Sequence, residues 1–244
     1  MLKTNQSSKR NNGSASKLMG CCYLLNIYLK DKVSSWSFEE KNRVAENLAL
    51  ATDFIKGNAK KYNINLTILQ GNFGYENDIQ YPDVIPVNMF ENPQWTEDIF
   101  KIIGYCSGNG AVKHIKNELK VDQIVTILHI NKMGTSYNLT YYNGIDPMYY
   151  AERVVMFYKY EDGGPTCAAS YAHEVLHSFG AGELYFPYDS SKERMKLAQE
   201  YFPNDILFRV DYEINNLTIG EYTAYRIGWL QVLNPKYQVF EDEG

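Results

Sequence analysis

Histidine and cysteine are both scarce in this chain, and no long apolar run occurs. Of 244 residues, four are His and four are Cys. The cysteines are Cys21, Cys22, Cys106 and Cys167, which have neither CxxC spacing nor the pattern of a disulfide framework. Thiols of that kind favour a reducing, cytoplasmic setting over a secreted one. Nothing approaches 18 consecutive apolar residues, which excludes a transmembrane helix. Positive charge is not in excess either: 24 Lys+Arg against 29 Asp+Glu leave a net charge of −5. Nucleic acids and anionic membranes both select a basic footprint, so neither is expected as a partner.

What remains is the balance of an ordinary globular protein, 45% apolar and 22% charged. The first seventeen residues are rich in Ser, Asn, Gly and Lys and read as a disordered tail. Leu18-Met19-Gly20-Cys21 has the outline of a lipoprotein cleavage box, but such a box follows an apolar segment and polar residues precede this one. Residues 18–244 then form one domain, with an α/β lobe over about 18–180 and a smaller, mostly helical part over 181–244.

Periodicity orders the elements. Residues 21–30 form an apolar strand, 36–62 a helix with Val44, Leu48, Ala51 and Ile55 on one face, and 64–70 a second strand. Short helices follow near 96–105 and 110–119. Residues 123–130 make a nearly all-apolar, central strand. A polar stretch rich in Tyr and Asn, 131–150, leads to a fourth strand at 152–158. Gly163-Gly164-Pro165 stops the chain, and Thr166 can cap a helix running to about Phe179. Later helices are expected at 190–201 and 218–230.

The helix after Thr166 carries the chemistry. His173 and His177 are four residues apart, so both imidazoles leave one helix face. That spacing lets two ring nitrogens meet one Zn²⁺. Glu174 is placed to take a proton from water activated by the metal. Gly180 can end the helix in a left-handed turn and send the chain back, bringing Glu183 to the metal as third ligand. Glu221, from the later helix, is the alternative third ligand. His114 lies between lysines and reads as an exposed helical residue, while His129 reads as a core histidine of the third strand. Cys167 lies about 120° off the ligand face and reads as packing. Half of the histidines thus fall in one helical turn, which makes an accidental pair less probable than it would be in a His-rich chain.

The run His173-Glu174-Val175-Leu176-His177-Ser178-Phe179-Gly180-Ala181-Gly182-Glu183 resembles the H-E-x-x-H-x-x-G-x-x-[H/D/E] pattern of metzincin-type zinc metallopeptidases. Taken with Pro203-Asn204-Asp205-Ile206-Leu207 and Ile219-Gly220-Glu221-Tyr222-Thr223-Ala224-Tyr225, it looks like a group of small bacterial zincin-like proteins. The resemblance is specific over about 166–230. It implies a zincin-like α+β fold: a mixed twisted sheet with an antiparallel edge strand, and an active-site helix beside it. Residues 152–158 sit where that edge strand is expected, ready to pair with an extended peptide. The resemblance further implies an apolar turn beneath the metal. Asn204 to Leu207 matches it, with Leu207 where the family carries Met. Some relatives bind the oxyanion through a Tyr, for which Tyr185, Tyr222 and Tyr225 are the candidates.

The function expected from these residues is zinc-dependent hydrolysis of peptide bonds, with Glu174 as general base and a peptide or protein as substrate. The departure at Leu207 supplies the alternative, a degenerate protein that binds zinc or a peptide without turnover.

Overall fold

Strand β1 (Gly20–Lys30) is buried without a break from Leu24 to Leu29, as befits a parallel strand covered on both faces. The computed structural model describes residues 12–88, 91–141, 146–188 and 190–241. Helix α1 (Phe38–Lys61) follows β1 and opens on a capping box. The Ser37 hydroxyl accepts from the Glu40 N–H, and the Glu40 carboxylate accepts from the Ser37 N–H. Strand β2 (Leu66–Phe73) then lies parallel to β1, giving the expected β-α-β opening. A short β3 (Ile79–Gln80), helices α2 (Gln94–Ile102) and α3 (Gly108–Leu119) and strand β4 (Gln123–Met133) complete the first half. After them come β5 (Tyr137–Leu139), β6 (Arg153–Lys159), α4 (Ala168–Ser178), α5 (Lys192–Tyr201) and α6 (Glu221–Arg226).

Among the described residues six strands form one sheet, ordered β2-β1-β4-β6-β5, with β3 beside the end of β1. All pairs are parallel except β5 with β6. Helices α2 and α3 cover one face through Trp95, Ile99, Phe100, Val112 and Ile115. Helices α1 and α4 cover the other, in one continuous core with Leu207, Leu217 and Ile219 from the C-terminal part. The result is a mixed α/β arrangement around a mostly parallel sheet, compatible with the α+β class expected.

Three sequence expectations are corrected. First, the strand at 152–158 is not an edge. It lies between β4 and β5 and is buried from Arg153 to Tyr158, which is why it reads as an unbroken apolar run instead of alternating. The antiparallel edge is β5, three residues hidden in the polar 131–150 stretch. Second, the tail expectation over 1–17 fails at its end. Residues 1–11 lie outside the described residues, but Ser14 and Ala15 are fully buried. The Ser14 hydroxyl donates to the Ile124 carbonyl at 2.8 Å and accepts from the Glu152 N–H at 3.0 Å, and the Ala15 N–H donates to the Glu152 carboxylate at 2.7 Å. Small polar residues that composition assigns to disorder are here the ones that fit a tight polar socket. Third, Thr166 does not cap α4. Its hydroxyl donates to the Phe157 carbonyl, Cys167 holds the cap position, and the Cys167 N–H is taken by the Tyr160 hydroxyl.

The expected helix at 218–230 shortens to α6, bounded by Gly220 and by Gly228 at φ +89°. No helix among the described residues is long and apolar enough to cross a membrane.

Candidate metal centre

Helix α4 is buried on every side from Ala168 to Leu176, wedged between the sheet and α1. Its last turn presents His173 and His177 to the same point. The chain leaves the helix at Phe179, turns through Gly180 at φ +94°, and returns along 181–183. A left-handed residue there is open to glycine at little cost, so the turn that delivers Glu183 follows from Gly180.

Three ligand atoms converge. His173 Nε2 and His177 Nε2 are 2.9 Å apart, and Glu183 Oε1 lies 3.1 Å from each. The triangle is slightly tighter than the ~3.3 Å between ligands of a tetrahedral ion with bonds of about 2.0–2.1 Å. Among the described residues this is the one group of His, Cys, Asp and Glu able to hold a metal ion. Glu221, the alternative ligand, stands exposed at the start of α6 and is not part of the group.

The outer bonds determine what the inner atoms are. His173 Nδ1 faces the Ile206 carbonyl at 2.9 Å, and His177 Nδ1 faces the Ala181 carbonyl at 2.8 Å. A carbonyl only accepts, so both Nδ1 atoms carry protons, and a ring that is neutral then offers its Nε2 lone pair. Two lone pairs and a carboxylate oxygen at this spacing repel one another unless a cation stands among them. The protein without metal answers with a proton. Burial works against a charge on His173, but the hydrogen bond and charge of Glu183 outweigh it and lift His173 to about 9. Burial likewise opposes the Glu183 charge, and the two imidazoles overcome it, holding Glu183 down at about 2.

Residues 206 and 207 run beside the two histidines and the returning chain. Ile206 supplies the carbonyl to His173, and the Leu207 carbonyl accepts from the Leu184 N–H at 3.0 Å. Leu207 itself is fully buried. Asp205 organises the turn: its carboxylate accepts from the Leu207 N–H and the Gly220 N–H, each at 2.7 Å. Burial pushes Asp205 up to about 6 against these hydrogen bonds.

Glu174 sits beside the pair on α4 and is nearly buried. Its Oε2 accepts from the side-chain amide of Asn138 at 2.5 Å. Sequence reading missed Asn138, because no spacing rule connects a polar residue in a loop-like stretch to a helix 36 positions later.

The three tyrosine candidates part company. The Tyr185 hydroxyl donates to Glu183 Oε1 at 3.2 Å and so belongs to the site. Tyr222 does not: its hydroxyl lies 2.9 Å from both the Phe240 carbonyl and the Glu241 carboxylate, with one proton for the two acceptors, and its ring packs on Phe202 and Phe240. Tyr225 shares those surroundings, with Glu241 and Arg226 as its charged neighbours. The sequence could not separate the three because closeness in the chain, which favours Tyr185, competes with the similarity of the later segment. His114 is exposed and pairs with Glu118, while His129 is buried against Asn26 and Tyr28, as expected for a surface and a core histidine.

No family model matches the chain, and no curated protein matches it.

Proposed function

We propose that the protein is a zinc-dependent metallopeptidase of metzincin-like build. The observation that carries this reading is the convergence of His173 Nε2, His177 Nε2 and Glu183 Oε1, with both Nδ1 protons already committed to backbone carbonyls. Two imidazoles and one carboxylate are the donor set of a catalytic zinc, which keeps a fourth position for water or substrate. Held by His173, His177 and Glu183, a Zn²⁺ ion would lower the pKa of water toward about 7 and polarise the scissile carbonyl.

The chain's own residues do the rest. Glu174, with Oε2 held by Asn138, offers Oε1 to the water's proton and returns that proton to the leaving amine. Tyr185 stands where its hydroxyl can turn from Glu183 to the developing oxyanion. The substrate is an extended peptide. It pairs with β5, the last strand of the sheet among the described residues, and not with residues 152–158, which are flanked on both sides. The four cysteines stand free, which suits a reducing, cytoplasmic setting.

The test is metal analysis combined with the Glu174→Gln variant. Zinc is expected at one per chain in both proteins, and cleavage of a peptide library is expected to fall about 10²- to 10⁴-fold in the variant. Undiminished cleavage by the variant rules out Glu174 as base. Zinc at one per chain with no cleavage by the wild type supports the degenerate, binding-only alternative that Leu207 suggests.

A further inference from the structure

Asn138 spans the gap between β5, the last strand of the sheet among the described residues, and helix α4. It lies in the middle of β5, opposite Val154 of β6. Its side chain crosses to α4 and meets two residues one helical turn apart. Nδ2 donates to Glu174 Oε2 at 2.5 Å, and Oδ1 accepts from the Ser178 hydroxyl at 2.8 Å. The direction of the amide is not arbitrary. A carboxylate only accepts, so the amide nitrogen must face Glu174, and the oxygen is left for Ser178. Ser178 is fully buried, so its hydroxyl cannot turn to water instead.

We propose that Asn138 is a positioning residue: locked by Ser178, it holds one oxygen of Glu174 and so aims the other at the water that Glu174 deprotonates. This rests on the metallopeptidase reading above. Glu is a long side chain with several rotamers, and the adjacent ligands fix only its backbone. A charge-assisted bond to one carboxylate oxygen removes most of that freedom before substrate arrives. Because the anchor comes from β5, the base is referenced to the strand that the peptide pairs with, and not only to its own helix.

A merely structural role is separable from this one. If Asn138 served only to satisfy the buried Ser178 hydroxyl, Asp would serve as well, since it keeps an oxygen for Ser178. Toward Glu174, however, Asp replaces a donor with a second carboxylate. In the zinc-loaded full chain, Asn138→Asp and Asn138→Ala are both expected to retain one zinc and the wild-type KM while kcat falls about 10- to 100-fold. In the metal-free protein, the Asn138 side-chain amide resonances are expected to move on Glu174→Ala and to stay in place on Tyr222→Phe. Wild-type kcat in Asn138→Asp, or amide signals indifferent to Glu174→Ala, overturns the role of Asn138 while leaving the peptidase reading intact. A zinc-loaded wild type that cleaves no peptide overturns the peptidase reading and this role with it, and the wild-type assay alone identifies that case.

Discussion

His173 and His177 bring their Nε2 atoms to 2.9 Å while each gives its Nδ1 proton to a backbone carbonyl, Ile206 for one and Ala181 for the other. Such an arrangement is stable only around positive charge. Without metal that charge is a proton on His173, whose pKa Glu183 lifts to about 9 against the pull of burial. Zinc binding at pH 7–8 is therefore expected to expel about one proton. Glu183, held at about 2, contributes none. The sign follows: affinity rises with pH up to about 9, by about tenfold per pH unit for one displaced proton. In the metal-free protein the folded His173 binds its proton more tightly than the unfolded chain, so this contribution to stability is full below about 6.5 and fades as pH rises through about 9. Calorimetry of zinc binding in two buffers of different ionisation heat measures the proton directly. A count near zero would show that both rings are already neutral.

Glu183 supplies the third corner of the triangle, and Glu221 stands exposed on another helix. Glu183→Ala is expected to weaken zinc binding by more than the roughly 100-fold that marks the upper range for outer-sphere partners. Glu221→Ala is expected to bind zinc as the wild type does. Competition with a chromogenic chelator reads both. Equal losses in the two variants would mean that the site reorganises on binding and that the metal-free geometry misidentifies its ligand.

Gly180 makes the return toward Glu183 possible, at φ +94°. A side chain at that angle is strained by about 1–3 kcal/mol. Gly180→Ala is therefore expected to lower stability by that amount and to weaken zinc binding, because the chain relieves the strain by moving 181–183. The useful readout is the pair of effects together. A variant that loses stability but binds zinc normally would uncouple the turn from the ligand.

Much of this site is legible in the sequence, for a physical reason. His173, Glu174, His177, Gly180 and Glu183 span eleven consecutive positions, and helix geometry plus one permissive turn is enough to bring them together. Asn138 is invisible because it depends on a β5–β6 register that is set over long range. The same reason hides the true edge strand. Three residues in a polar stretch give no period-2 signal, whereas β6 shows a strong apolar signal because it is interior. The contact of the Ile206 carbonyl with His173 is hidden for the same reason, since it joins segments 33 positions apart.

Ser14 tests the other misreading. In a disordered tail, Ser14→Ala would change nothing. In the structure its hydroxyl donates to the Ile124 carbonyl and accepts from the Glu152 N–H, joining the chain before β1 to the starts of β4 and β6. Alanine leaves a buried donor and a buried acceptor without partners, and an unmade bond of that kind costs about 1–3 kcal/mol. For a domain of this size each kcal/mol lowers Tm by about 2–4 °C. The neighbouring Ala15 N–H is held by the Glu152 carboxylate at 2.7 Å, so Glu152→Ala should destabilise the protein by at least as much, through a second lost anchor and an emptied socket. The two substitutions share one network, so the double variant is expected to lose less than the sum of the single losses. Thermal melts of the three proteins decide it. An unchanged Tm for Ser14→Ala would return this segment to the status of a tail, and strict additivity would show that the two anchors act independently.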